Sequence, residues 1–232
     1  DYYLEEILKL LQDYFIEDFE KCQKIAYLEW MCRNILEWDQ MKCMQYMMKQ
    51  DPTIYAELVK IIYKSDRDGD KVDEEKSKLA NKIYLGFDKA KFCPTEKNGT
   101  VNYALLKEWV SKFSKLLEDQ GQAKMFGNLV GSLLAYSPIG DDGYMPCEAA
   151  RRVIEEYNSD SLKNAYIVAE KNKRGVYTSD AGKSEMILSK KYKDNAEALQ
   201  GKYPYIAEIY LELSSSYKLQ ADWERRHAED EW

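Results

Sequence analysis

The sequence holds one histidine, His227, in 232 residues, and only five prolines and five cysteines. His227 sits in the charged run Arg225-Arg226-His227-Ala228-Glu229, so a nucleophile elsewhere has no ready imidazole base. Cys22, Cys32, Cys43, Cys93 and Cys147 are odd in number and far apart. That excludes a paired disulfide framework, offers no zinc-type spacing, and leads us to expect a reducing cytoplasm. No apolar run approaches the roughly 20 residues of a membrane span. No alternating apolar run marks a strand, and no fixed period marks a repeat protein. We therefore expect no enzyme in this chain: no catalytic residue, no metal ligand and no cofactor site.

What remains is helical periodicity. Tyr3, Leu4, Ile7, Leu8, Leu11 and Phe15 form one stripe, and Ile25, Leu28, Cys32, Ile35 and Leu36 a second. Glu29 and Arg33 are four apart and predict an ion pair. Met41, Met44, Met47 and Met48 read as core filler, with an adaptable binding surface as the alternative. Asp51-Pro52 is a helix start, Asp capping and Pro in the first turn. Leu105, Leu106, Trp109, Val110, Phe113, Leu116 and Leu117 make the cleanest stripe, which Gly121 should end. The pattern predicts an all-α chain of about nine or ten helices, an irregular bundle or a solenoid-like array. Ser137 to Gly143 is the clearest loop. It suggests an N-terminal subdomain over 1–136, a connection over 137–145 and a C-terminal subdomain over 146–232. Asp1 opens directly into helix pattern, so we expect a piece cut from a longer polypeptide.

Four patterns raise specific chemistry. The run from Lys64 to Glu75 places Asp66, Asp68, Gly69 and Glu75 at calcium-loop positions, but puts Lys64 where the first carboxylate belongs. A solvated acidic turn is the simpler reading. Asn98-Gly99-Thr100 is a formal glycosylation sequon, read as a chance match. Tyr177 to Ser184 matches the end of a phosphate loop but has Tyr177 in place of its first glycine. The milder form of that idea is an anion held at the N-terminus of the helix from Lys183. Finally, Asp160 to Lys193 carries eight Lys/Arg against four Asp/Glu in a chain of net charge −7. With Tyr166, Tyr177 and Tyr192 nearby, that 160–193 face is the nucleic-acid alternative. The overall negative charge opposes it.

From the loop onward the order of segments is distinctive. It runs Asp142-Gly143-Tyr144-Met145-Pro146-Cys147-Glu148, Asn172-Lys173-Arg174-Gly175-Val176, Gly182-Lys183-Ser184-Glu185, Lys191-Tyr192, Ala196-Glu197-Ala198-Leu199, Tyr203-Pro204, Ser216-Tyr217 and Ala221-Asp222-Trp223-Glu224. Upstream, Leu28-Glu29-Trp30, Asp51-Pro52 and Tyr63-Lys64 fit the same order. It resembles the C-terminal helical region of large bacterial multidomain proteins, mostly uncharacterised. Tyr144 and Met145 depart from the tryptophan expected nearby. The resemblance implies an all-helical appendage to a bigger protein, some parents carrying nucleotide-binding or defence-related domains, and it transfers no catalytic residue. The expected function is a non-catalytic interaction module of a cytoplasmic protein, binding a protein partner or its own parent chain. An accessory domain of an enzyme whose active site lies outside this segment is the other alternative. The residues expected to bind the partner are Arg174, Lys173, Asp142, Tyr144 and Tyr177, in the 137–145 and 172–184 loops. Arg174 would be the anchor, because its planar fork grips carboxylate or phosphate.

Overall fold

The computed structural model describes residues 2–65, 74–87 and 90–230. The calcium-loop candidates Asp66, Asp68 and Gly69 lie outside the described residues. Among the described residues the protein is all-α, with eleven α-helices and a single isolated bridge, Lys97 to Thr100. No helix among them is long and apolar enough to cross a membrane. The chain packs as two compact units, Asp1–Phe126 and Gly127–Trp232.

The first unit holds α1 (Tyr2–Phe15), α2 (Phe19–Met31), α3 (Lys42–Gln50), α4 (Pro52–Ile62), α5 (Glu74–Phe87) and α6 (Tyr103–Asp119). Asp51 caps α4 as its sequence suggests, accepting from Thr53 N–H at 2.9 Å with Pro52 in the first turn. Gly121, at φ +72°, follows the end of α6, where the left-handed conformation suits glycine. The methionine segment is core: Met41, Met44, Met47 and Met48 are all buried. Tyr55, Phe92, Trp109 and Phe113 close an aromatic cluster beside it, and the Trp109 indole N–H donates to Met48 O at 3.2 Å. α2 stops at Met31, so Ile35 and Leu36 lie beyond it rather than continuing its stripe. Arg33 does not pair with Glu29. It donates to Trp30 O and lies over the Trp30 ring, while Glu29 turns fully inward.

The second unit holds most of α7 (Phe126–Ala135), then α8 (Glu148–Glu156), α9 (Asp160–Asn172), α10 (Lys183–Leu199) and α11 (Pro204–Asp230). The division between the units falls at Phe126/Gly127, ahead of the 137–145 loop, which lies inside the second unit. That loop is pinned to α8. The Cys147 N–H donates to Ser137 Oγ at 2.9 Å, and Asp142 binds Arg151 through both carboxylate oxygens at 2.7 Å. α10 and α11 form a long hairpin whose seam stacks Tyr192 on Tyr217 at 5.7 Å. Glu155, from α8, accepts the Tyr205 and Ile206 N–H groups and so caps α11.

α7 reaches α9 through Gly127 and Gly131. A Cβ on Gly131 would stand 2.3 Å from the Leu162 carbonyl oxygen. Alanine normally gains about 1 kcal/mol over glycine inside a helix. Here backbone stands in its way, so Gly131→Ala should instead cost about 2 kcal/mol through overpacking. A thermal melt distinguishes the two signs.

Candidate functional site

The most elaborate polar cluster lies in the second unit, where the 173–182 loop crosses from α9 to α10 against α11. Gly182, at φ +79°, makes the crossing: a Cβ there would come within 2.4 Å of Ala221 O. The glycine that suggested a phosphate loop is thus required for backbone approach to α11. Asp180 then accepts from Ser184 Oγ at 2.6 Å and from Ser184 N–H at 3.1 Å, which caps the start of α10. Those hydrogen bonds lower the Asp180 pKa. The position where an external anion would sit at this helix start is held by the protein's own carboxylate.

Arg174 lies at the centre of the cluster. Its guanidinium pairs with Glu185 through Nη1 and Oε1, and sits 3.4 Å from the Tyr177 ring centroid. Burial opposes the Arg174 charge, but the Glu185 carboxylate outweighs it and raises the pKa. Glu185 is completely buried, and its Oε2 has no hydrogen-bond donor. On α11, buried Glu224 accepts from Ser179 Oγ at 2.7 Å and from the Tyr177 hydroxyl at 3.3 Å. Burial, with Glu224 alongside, raises the Tyr177 pKa. Each of Asp180, Glu185 and Glu224 offers a carboxylate oxygen, and the three oxygens lie within 4.8 Å of one another. A cleft of about 460 Å³ opens beside Glu224, lined also by Tyr177, Ser179, Trp223, His227 and Ala228. His227 is exposed, as its charged surroundings suggest, and leans on Trp223 with ring centroids 3.9 Å apart.

The residues expected to meet a partner are therefore engaged within the unit. Lys173 pairs with Glu170 and donates to Ala135 O. Asp142 is half of the Arg151 pair, and Arg151 is itself fully buried beneath the Tyr203 ring. Tyr144 is half-buried, and its backbone closes the loop on Asp142 and Gly140. Arg174 and Tyr177 come together; Asp142 and Tyr144 belong to a separate contact. Within the basic window, Lys163 binds Glu208 and Lys193 lies near Glu197, leaving Lys183, Lys190 and Lys191 exposed. Sequence reasoning missed Glu185 and Glu224. The signal was present: Glu185 continues the buried series Ser189, Tyr192, Ala196 and Leu199, and Glu224 continues Tyr210, Leu213, Tyr217 and Ala221.

The first unit presents a different surface. Leu8 and Gln12 turn α1 inward. Tyr3, Ile7, Leu10 and Tyr14 point outward, 81, 54, 61 and 81 % exposed. The single stripe expected on α1 is thus split, with Leu8 in the core and Tyr3, Leu4 and Ile7 in solvent. α2 adds exposed Tyr27, Leu28 and Met31. Comparison with family models, curated proteins and solved structures returns no match to this chain.

Proposed function

We propose that this chain is a non-catalytic docking module of a larger bacterial cytoplasmic protein, and that α1 receives a basic amphipathic helix from a separate partner protein. The observation that carries this reading is the exposed series Tyr3, Ile7, Leu10 and Tyr14. Their spacing of four, three and four is that of a helix–helix seam, and four large apolar side chains in one solvent-facing row mark an interaction surface. Charge selects the occupant. Apart from buried Glu29, residues 1–31 carry seven acidic side chains against three lysines. A second copy would bring like charge, and an anionic membrane or nucleic acid would be repelled, whereas a lysine-flanked helix is attracted. The nucleic-acid alternative has less support, because much of the 160–193 basic face is paired with the chain's own carboxylates.

The probe is a labelled synthetic peptide with leucine seams and lysine flanks, followed by fluorescence anisotropy. It should bind, and Ile7→Ser with Leu10→Ser should weaken it at least about tenfold at an unchanged melting temperature, because both side chains are solvent-facing. A leucine–glutamate peptide should not bind. Peptide affinity indifferent to the double substitution would overturn the reading. So would sedimentation showing that a second copy covers α1, or vesicle binding that depends on the same residues.

A further inference from the structure

The geometry points to a binding site for a hard divalent cation of calcium type, formed by Asp180, Glu185 and Glu224 where the 173–182 loop and the first turn of α10 meet α11. Three carboxylates meet there against the Arg174 guanidinium, with Lys183 acting on Asp180, so the cluster still carries excess negative charge that a divalent ion would balance. A second observation, separate from the clustering, points the same way. Glu185 is wholly buried, and although Arg174 Nη1 pairs with its Oε1, neither carboxylate oxygen accepts a hydrogen bond, so Oε2 is an anionic oxygen shielded from water and without a donor. A buried carboxylate oxygen left in that condition is costly, and a metal ion is one of the few ligands that satisfy it.

The surrounding donors suit the role. Ser184 holds Asp180, while Ser179, Tyr177 and Gln220 hold Glu224, so both carboxylates are already oriented, as ligating carboxylates usually are. An all-oxygen carboxylate set drawn from a loop and two helices suits calcium, whose coordination is flexible, better than magnesium, which demands a tight octahedron near roughly 2.0–2.1 Å. Asp180 is exposed and the cleft beside Glu224 is open, so an ion has a path in and waters can complete its shell. Arg174 stays on Oε1, and the ion would share Glu185 with it. Bound, it would clamp the loop to α11. The site is independent of the α1 docking surface.

The test is titration of the whole chain with calcium chloride by calorimetry, and with terbium, whose luminescence Trp223 and Tyr177 would sensitise. One site of modest affinity is expected, on the order of 10⁻⁴–10⁻³ M, with magnesium weaker. Asp180→Asn keeps a capping side chain at an exposed position. It should weaken calcium at least about tenfold while leaving the calcium-free melt in place, and Glu224→Gln should do the same to affinity. Absence of saturable calcium heat and terbium signal would overturn the site. Binding unchanged in both variants would assign the ion to another acidic segment and equally overturn it.

Discussion

Arg174→Ala is expected to destabilise the second unit by about 3 kcal/mol, the scale of removing one partner from a buried ion pair. The reason is Glu185 rather than Arg174 itself. The arginine keeps some solvent contact, its side chain being 18 % exposed, but Glu185 has none. Without the guanidinium, the carboxylate must be held charged in the interior or take up a proton, and either is unfavourable. Stacking on Tyr177 is lost as well, at a cost of about 0.5–1 kcal/mol. Arg174→Lys keeps the charge but not the planar fork over the ring, so it should fall between the two. The pairing itself is isolated by a double replacement, Arg174→Met with Glu185→Leu, which removes both charges and should recover most of the loss. Urea denaturation followed by circular dichroism reads the loss. If Arg174→Ala leaves the transition where it was, Arg174 is free for a partner after all, and the internal role assigned to it fails.

That contrast marks how far the sequence could be read. Helix positions were legible because they depend on local chemistry: Asp51 with Pro52 starts α4, Gly121 follows α6, and of the α6 stripe Leu106, Trp109, Val110, Phe113 and Leu117 face the core, while Leu105, read into the same stripe, is exposed and Leu116 is only half-buried. The destination of charged side chains was not, because it depends on residues distant in sequence. Arg174 and Lys173 read as surface cations, yet Glu185 and Ala135 receive them. The 137–145 loop read as a connection, yet its Asp142 answers a buried arginine on α8. The three buried acids on α2, α10 and α11 share one lesson. Glu29, Glu185 and Glu224 each stand in register with buried apolar residues, and a carboxylate at a core position signals a dedicated partner. The outward row on α1 escaped notice because that helix is apolar on both faces, which a single periodic stripe cannot describe.

Glu29 carries the other large effect. It is completely buried on α2, and no basic side chain forms an ion pair with it among the described residues. Its Oε1 accepts from Gln12 Nε2 at 2.6 Å and from Cys43 N–H at 3.0 Å, and its Oε2 accepts from Met44 N–H at 2.7 Å. The last two donors open α3, so Glu29 caps that helix from a neighbouring one and meets the positive end of its dipole. Glu29→Leu would strand three donors and should cost about 3 kcal/mol. Glu29→Gln keeps the shape but sets an amide N–H against one of those donors, so a smaller loss of about 1–2 kcal/mol is expected. The pH dependence separates charge from shape. Burial raises the Glu29 pKa above the ordinary 4.5, outweighing the N–H donors and Lys42 that lower it. Between that ordinary value and the raised one, the native state binds more protons than the unfolded chain, so this group adds stability as pH falls and withdraws it as pH rises. Asp51 and Asp142 act in the opposite sense. Burial raises their pKa values, but the hydrogen bonds and cations beside them prevail, so both are lowered and their stabilising contribution is lost in acid. The wild-type chain should therefore gain on Glu29→Gln as pH falls from 7 towards 4.5, measured by urea midpoints at each pH. Parallel curves across that window would show that Glu29 titrates as it does in the unfolded chain, and would remove the buried charge from this account of α3.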